Sequence, residues 1–294
     1  MPYLLPQLVV NGLIAGAIYA IAAAGFALVY KVVKFQYFSY GAIIAFAAYL
    51  FFTFVNRMKL GLIFAAFLTI VAIVLITLIK NWIVYKPLRK RKATPTILLI
   101  ASISLLLFLS ALILAIYGAS TKSIFISKKT MIFDFKFFTV TSIQIAIIAF
   151  AVILFLFLYV ILKKTKLGKA MRALADNRDV ARIIGINPEK IYTYTFVISA
   201  VMGAVSGMLI GVEQNLYPRM GVMIIIKGFI SAVVGGLGSV HGSIVGGFFI
   251  GIAENVGIWY LPSGYKDVIS FTVMIIFLIF KPEGILGVKV RDDT

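Results

Sequence analysis

Few residues in this chain could do chemistry inside a long apolar stretch. Glu254, followed by Asn255, lies within the apolar stretch 243–261, and Glu213 ends another. A carboxylate at membrane depth is the usual carrier of a proton or a coupled cation, so Glu254 is the candidate for ion-driven work. The plainer reading is that it sits near a helix end, snorkelling or bonded to a neighbouring helix, since one acid is thin support for a proton path. His241 is the sole histidine, which argues against a histidine-built metal site. In its glycine turn it reads as a hydrogen-bonding loop residue. No HExxH pair and no GxSxG elbow occurs in the sequence, so neither zinc hydrolysis nor a serine nucleophile is indicated. Gly235-Gly-Leu-Gly-Ser has only a faint likeness to a nucleotide loop. It lacks the phosphate-loop lysine and sits in an apolar run, where a glycine turn between helix halves fits better. The expectation is a chain that is not an enzyme, with no ATP site and no cofactor of its own. Cysteine is absent, which removes disulfides, thiolate metal sites and a cysteine nucleophile.

The elements that must position these residues follow from composition. Of 294 residues, 62% are apolar and 13% charged, whereas soluble domains run roughly 45–50% and about 25%. That much apolar surface needs lipid as its solvent. Lys and Arg number 28 against 10 Asp and Glu, a net charge of +18. They fall in bursts between apolar runs, which is how the positive-inside rule reads in sequence and points to anionic lipid rather than nucleic acid. Charge-free runs cover 1–30, 35–56, 60–79, 93–121, 137–162, 191–212, 228–253 and 268–280. They do not alternate as barrel strands do, so they are helices. The first run has no charge before Lys31; it lacks the basic start of a signal peptide and reads as a retained span. The fold class is all-α, a polytopic transmembrane helical bundle forming one domain over 1–294. The stretch 221–260 is too long for one span and is broken by Gly235, Gly236, Gly238 and Gly242. It is either a helix with a re-entrant piece or two crossings, giving eight or nine spans. With nine and the N-terminus outside, Lys31, Lys34, the cluster 80–92, the loop 163–190 and the tail all face the cytosol. Small residues four apart, such as Gly12 with Gly16 and Gly247 with Gly251, let helix backbones approach closely.

One loop asks for a partner. Residues 163–190 read KKTKLGKAMRALADNRDVARIIGINPEK. Leu167, Ala170, Met171 and Leu174 recur at helical spacing and make one apolar face. Gly185 and Asn187-Pro188 supply a stop. Ala170, Ala173, Ala175 and Ala181 keep the ridge small, which suits docking in a partner's groove better than insertion among lipids.

The pattern LGKAMRALADNRDVARIIGIN followed by TFVISAVMGAVSGMLIG resembles the cytosolic coupling loop and next span of ABC importer permeases of the branched-chain amino acid type, the LivH class. Residues 11–43 (NGLIAGAIYAIAAAGFALVYKVVKFQYFSYGAI), 228–255 (GFISAVVGGLGSVHGSIVGGFFIGIAEN) and 281–287 (KPEGILG) are similar too. The resemblance spans nearly the whole chain, with 56–140 matching only in being hydrophobic. It implies a permease of the cell's inner membrane that is half of a pathway, paired with a second, related permease. Two cytosolic ATPase subunits would bind the ATP, and an extracytoplasmic binding protein would deliver the amino acid. The family's coupling positions fall on Gly168, Arg172, Ala173, Asn177, Ala181, Gly185 and Asn187, with 167–186 expected to insert into the ATPase as one helix. Lys31, Lys34 and the bulky Phe35, Gln36, Tyr37 and Phe38 depart from the family's pattern.

For the substrate path the spans offer few polar groups: Asn11, Tyr19, Ser39, Ser199, Ser206 and Asn255. A permease fed by a binding protein need not hold its cargo tightly. The competing reading is an ion-coupled secondary transporter using Glu254. A membrane enzyme and a non-transporting scaffold explain the sequence less well.

Overall fold

The computed structural model describes residues 4–125, 131–135 and 137–287. The chain begins with α1, Leu4–Val33, and a short buried connection leads into α2, Ser39–Phe52, which a π-helical turn extends to Arg57. Next comes α3, Leu62–Lys80, continued through a second π-helical turn into α4, Lys86–Lys90. The helix α5, Pro95–Tyr117, starts where Thr94 accepts the Ile97 N–H and Pro95 occupies the first turn, a position that needs no N–H donor. A small hairpin, β1 Ile132–Phe135 and β2 Phe138–Thr141, pairs Ile132 with Thr141 and Phe135 with Phe138. It leads straight into α6, Ser142–Lys164, through a capping box in which Thr141 and Gln144 each satisfy the other's backbone N–H. The loop helices are α7, Lys166–Asp176, and α8, Arg178–Ile183. The remaining helices are α9, Pro188–Glu213, α10, Met220–Gly235, α11, Val240–Gly257, and α12, Lys266–Phe280.

Seven of these helical stretches are long and apolar enough to cross a membrane. The pair α10 and α11 passes the same test jointly but bends by 114° at its break, and counts as an eighth passage when taken as one span. The protein is a multi-pass helical bundle, as composition predicts. The central helices are α1, α2, α9, α10 and α11, and α1 is almost wholly enclosed. Around them α3, α5, α6 and α12 turn large apolar residues outward, including Ile63, Leu107, Phe150 and Ile279. Such a surface is stable only against lipid.

Close backbone packing holds the centre together. A Cβ on Gly251 would lie 2.4 Å from the Gly16 Cα, so α1 and α11 touch along their backbones in the way small residues at four-residue spacing permit. The glycine-broken segment resolves into a reversal. Gly236 and Gly238 adopt φ of +111° and +91°, a region that favours glycine. The turn they make sits beside the chain's last described stretch. The N–H groups of Ile285 and Leu286 donate to the Val234 and Gly235 carbonyls at 2.8 and 3.0 Å, so the KPEGILG segment caps the end of α10. Val240 and His241 meanwhile line one crevice with Lys31, Lys163 and Arg172. The turn, the tail and the basic loop therefore share one face.

Candidate functional site

The loop between α6 and α9 is built by hydrogen-bonding side chains. Thr165 accepts the Gly168 N–H at 3.1 Å and starts α7. Gly168 lies against the end of α6, where a Cβ would come within 2.3 Å of the Ile161 and Leu162 carbonyl oxygens. Arg172 donates to that same Leu162 carbonyl. At Asn177 the backbone becomes extended, and its side chain accepts the N–H groups of Asp179 and Val180 at 2.9 and 3.1 Å. Gly185 ends α8 with φ of +88°, and Asn187 caps α9 by accepting the Glu189 and Lys190 N–H groups. Asn177, Gly185 and Asn187 thus set the shape of the loop.

Two sequence-based expectations need correction here. The single helix expected over 167–186 is two helices, because Asn177 starts a new one. The expected docking ridge is not free either. Met171 and Leu174 are 1% and 3% exposed and pack into the core, with Ala175 and Ala181 buried as well and Ala173 partly so. The apolar residues that do face outward are Val180, Ile183 and Ile184, with Ile183 84% exposed. Their signal in the sequence was three apolar residues in a charged segment that do not continue the α7 face.

Ion pairing locks the neighbourhood. Arg89 of α4 grips Glu189 of α9 at 2.8 Å and donates to the Asn81 side-chain amide oxygen at 2.9 Å. Its guanidinium lies over the Tyr192 and Phe196 rings. Bidentate geometry of this kind fixes direction as well as charge.

Two cations inside the bundle, Lys227 half-buried and Lys80 buried, escaped the sequence reading. Lys227 of α10 pairs with Glu254 of α11 at 3.0 Å and with Asp267 of α12 at 3.0 Å. Glu254 is fully buried and also accepts from the Tyr19 hydroxyl at 3.1 Å and from Ser270. Glu254 is therefore bonded to neighbouring helices, in the plainer of its two readings. The available signal was a lone lysine and a lone acid in neighbouring apolar stretches, which at membrane depth must find each other. Lys80 is the second. The sequence placed it in the cytosolic cluster, but it is 5% exposed inside the bundle. Its ammonium donates to the Tyr37 hydroxyl at 2.9 Å and to the Ser39 hydroxyl at 3.1 Å, and it lies 4.8 Å from the centre of the Tyr37 ring. Among the described residues no carboxylate reaches it.

The expected path residues do not converge. Asn11 bonds Gln7, Tyr19 belongs to the Glu254 network, and Asn255 bonds the Gly251 carbonyl and Lys266. Ser39 lies with Lys80, Tyr85 and Ser102, while Ser199 and Ser206 are buried with unpartnered hydroxyls. Phe35 and Tyr37 are buried in an aromatic cluster with Tyr85 and Phe196.

A coupling-type loop on the basic face of such a bundle fits a transport permease, and sequence comparison decides the matter. Residues 8–278 match the family described as the branched-chain amino acid transport system permease component. The chain belongs to this permease family. The high-affinity branched-chain amino acid transport system permease protein LivH of Escherichia coli (strain K12) is 31% identical over 97% of this chain and 96% of its own length. The corresponding BraD protein of Pseudomonas aeruginosa is 30% identical over 96% and 95%. A probable branched-chain amino acid transport permease protein LivH of Methanocaldococcus jannaschii is 34% identical over 71% and 69%. These relatives are transport permease components, and the branched-chain permease family accounts for the resemblance read from the loop.

Proposed function

We propose that this permease forms half of the membrane pathway of an ATP-driven importer of branched-chain amino acids in the inner membrane. A second, related permease completes the pathway, and a separate binding protein delivers the cargo from outside. Two ATPase subunits on the cytosolic side bind the ATP and drive the cycle. The observation that carries this reading is the exposed tip Val180, Ile183 and Ile184 on a loop whose other apolar residues are sunk in the bundle. A rigidly rooted knob with an apolar tip is the form a groove-docking element takes. Force applied to it passes through Met171 and Leu174 into the core helices, and through Arg89 and Glu189 between α4 and α9. Closure of the ATPases would then tilt these helices together, exposing the pathway to alternate sides. Gly168, Arg172, Ala173, Asn177, Ala181, Gly185 and Asn187 serve this coupling by holding the knob in place.

The ion-coupled alternative needs Glu254 free to exchange a proton or cation. Its bond to Lys227 at 3.0 Å weighs against that freedom. The test is co-purification with the ATPase subunits of the same system. Wild type should retain them, and Ile183→Glu with Ile184→Glu should lose them while melting at the same temperature. Equal capture by both would place the contact elsewhere and remove the main support for coupling through this tip.

A further inference from the structure

Beneath the loop, on the basic face, lies a cleft of about 470 Å³. Lys34, Lys92, Arg178 and Arg182 line it together with Arg89, and Asp179 is the sole acid on its wall. Arg89 is neutralised by Glu189. Among the described residues the other four cations make no ion pair. Four unpaired cations around one cleft repel one another unless an anion sits among them.

Two of the four stand where the backbone disfavours them. Lys34 and Lys92 have φ of +61° and +55°, a region costing an ordinary side chain roughly 1–2 kcal/mol. Glycine would fit each turn better, yet each turn presents a lysine to the cleft. The third such residue, Lys59, lies in the loop between α2 and α3, away from the cleft.

We infer that this cleft binds the headgroup of an anionic phospholipid. Charge complementarity selects a phosphate-bearing ligand. The surroundings select a membrane lipid over a soluble anion. The inner part of the wall is apolar, with Val33, Leu98 and Leu174. The rim runs onto the first turns of α5, where Ile97 and Ile100 are exposed, followed along the helix by Ile103 and Leu107. Pro95 at the start of α5 lines the cleft, so that outward apolar face offers acyl chains a track on the same helix. Anionic headgroups are concentrated on the face that basic loops occupy. A bound headgroup would tie the end of α1, the start of α5 and α8 together through Lys34, Lys92, Arg178 and Arg182. It would brace the loop against the bundle.

The test is native mass spectrometry of the purified full chain with phosphatidylglycerol, phosphatidylcholine or inorganic phosphate added. The variants are Lys34→Gln with Lys92→Gln, and Lys34→Arg with Lys92→Arg as the charge-retaining rescue. Lys59→Gln is the control for loss of a basic residue elsewhere. None of them alters the loop that would meet the ATPase. Phosphatidylglycerol should bind wild type, the arginine pair and Lys59→Gln alike, and the glutamine pair about tenfold or more weakly. Phosphatidylcholine should bind at least tenfold less well than phosphatidylglycerol. Equal retention of the two lipids, or an unaffected glutamine pair, would overturn the assignment. So would displacement of the lipid by millimolar phosphate, which would mark a soluble-anion site. If the glutamine pair instead keeps the lipid but loses the ATPase subunits, the cleft serves a protein surface and the inference fails. Lipid retention is read without any partner chain, so its failure is separate from failure of the coupling proposal.

Discussion

Lys227 and Glu254 meet at 3.0 Å across α10 and α11, with the carboxylate wholly removed from solvent. The same ammonium reaches Asp267 and lies over the Tyr19 ring, so one cation ties four helices together. Removing one partner of a buried pair strands a charge, at a cost of about 3–5 kcal/mol, whereas replacing both with apolar groups is often neutral. Lys227→Met alone should sharply lower the melting temperature of the purified chain. Lys227→Met with Glu254→Met should recover most of the loss and retain ATP-driven uptake. A double variant that folds normally yet transports nothing would show that the pair does more than hold helices.

Lys80 poses a different case, because its partners are neutral oxygens. An ammonium buried without a counter-charge is costly to desolvate, so Lys80→Met should leave the melting temperature unchanged or raise it. Tyr37→Phe takes away the shorter of the two hydroxyl contacts to that ammonium, and bonds to charged groups are worth about 1.5–3 kcal/mol. The penalty should vanish when Tyr37→Phe is made in the Lys80→Met background, which a double-mutant cycle measures directly. An undiminished penalty there would place the role of the Tyr37 hydroxyl elsewhere.

The spans were legible because lipid imposes long apolar runs, and every run read from the sequence carries a helix. The same reasoning hid Lys80 and Lys227. A charge at the edge of a run of about twenty residues reads as a loop residue, but the helical stretch that begins with α3 runs on past Lys80 through α4 to Lys90, and α10 begins before Lys227. Glu254 was found because it stands well inside its run. In the loop, the helical period of Leu167, Ala170, Met171 and Leu174 was correct, but periodicity does not say what covers an apolar face. Here the chain's own core covers it, and the free apolar residues lie one helix further on. The break at Asn177 did leave a mark, an Asn followed two residues later by an acid in the first turn, which is a helix start. The expected path residues do not meet within this chain, because rarity in a span does not bring polar groups together. Each of these side chains is held locally or sits unpartnered.

The shape of the loop rests on caps, so its sensitivity should be local. Asn177→Ala removes the acceptor for two N–H groups at the start of α8, at about 1 kcal/mol. Gly185→Ala forces a Cβ into a left-handed position, at roughly 1–2 kcal/mol. Either change should speed amide hydrogen exchange across 177–187 and leave the membrane helices protected. Both should reduce substrate-stimulated ATP hydrolysis in the assembled transporter more than they reduce subunit capture. Unchanged exchange in both variants would mean that the loop is held by contacts other than its caps.

The contact between Gly16 and Gly251 sets the spacing of α1 and α11, the most extensive helix pair in the bundle. A methyl group at Gly251 would sit 2.4 Å from both the backbone N and the Cα of Gly16. Backbone cannot rotate aside as a side chain can, so the helices must separate. Overpacking of this kind typically costs about 1–3 kcal/mol, and here the separation would also disturb the adjoining Gly12 and Gly247 contacts. Gly251→Ala should therefore lower both yield and melting temperature. Gly61, at the start of α3, has an ordinary φ of −58°, and a methyl group there would meet nothing within 4 Å. Gly61→Ala should be neutral or stabilise by up to about 1 kcal/mol through the unfolded chain. The two variants make the same chemical change, so opposite outcomes would locate the effect in the helix contact. Equal tolerance of both would mean that α1 and α11 can part without loss.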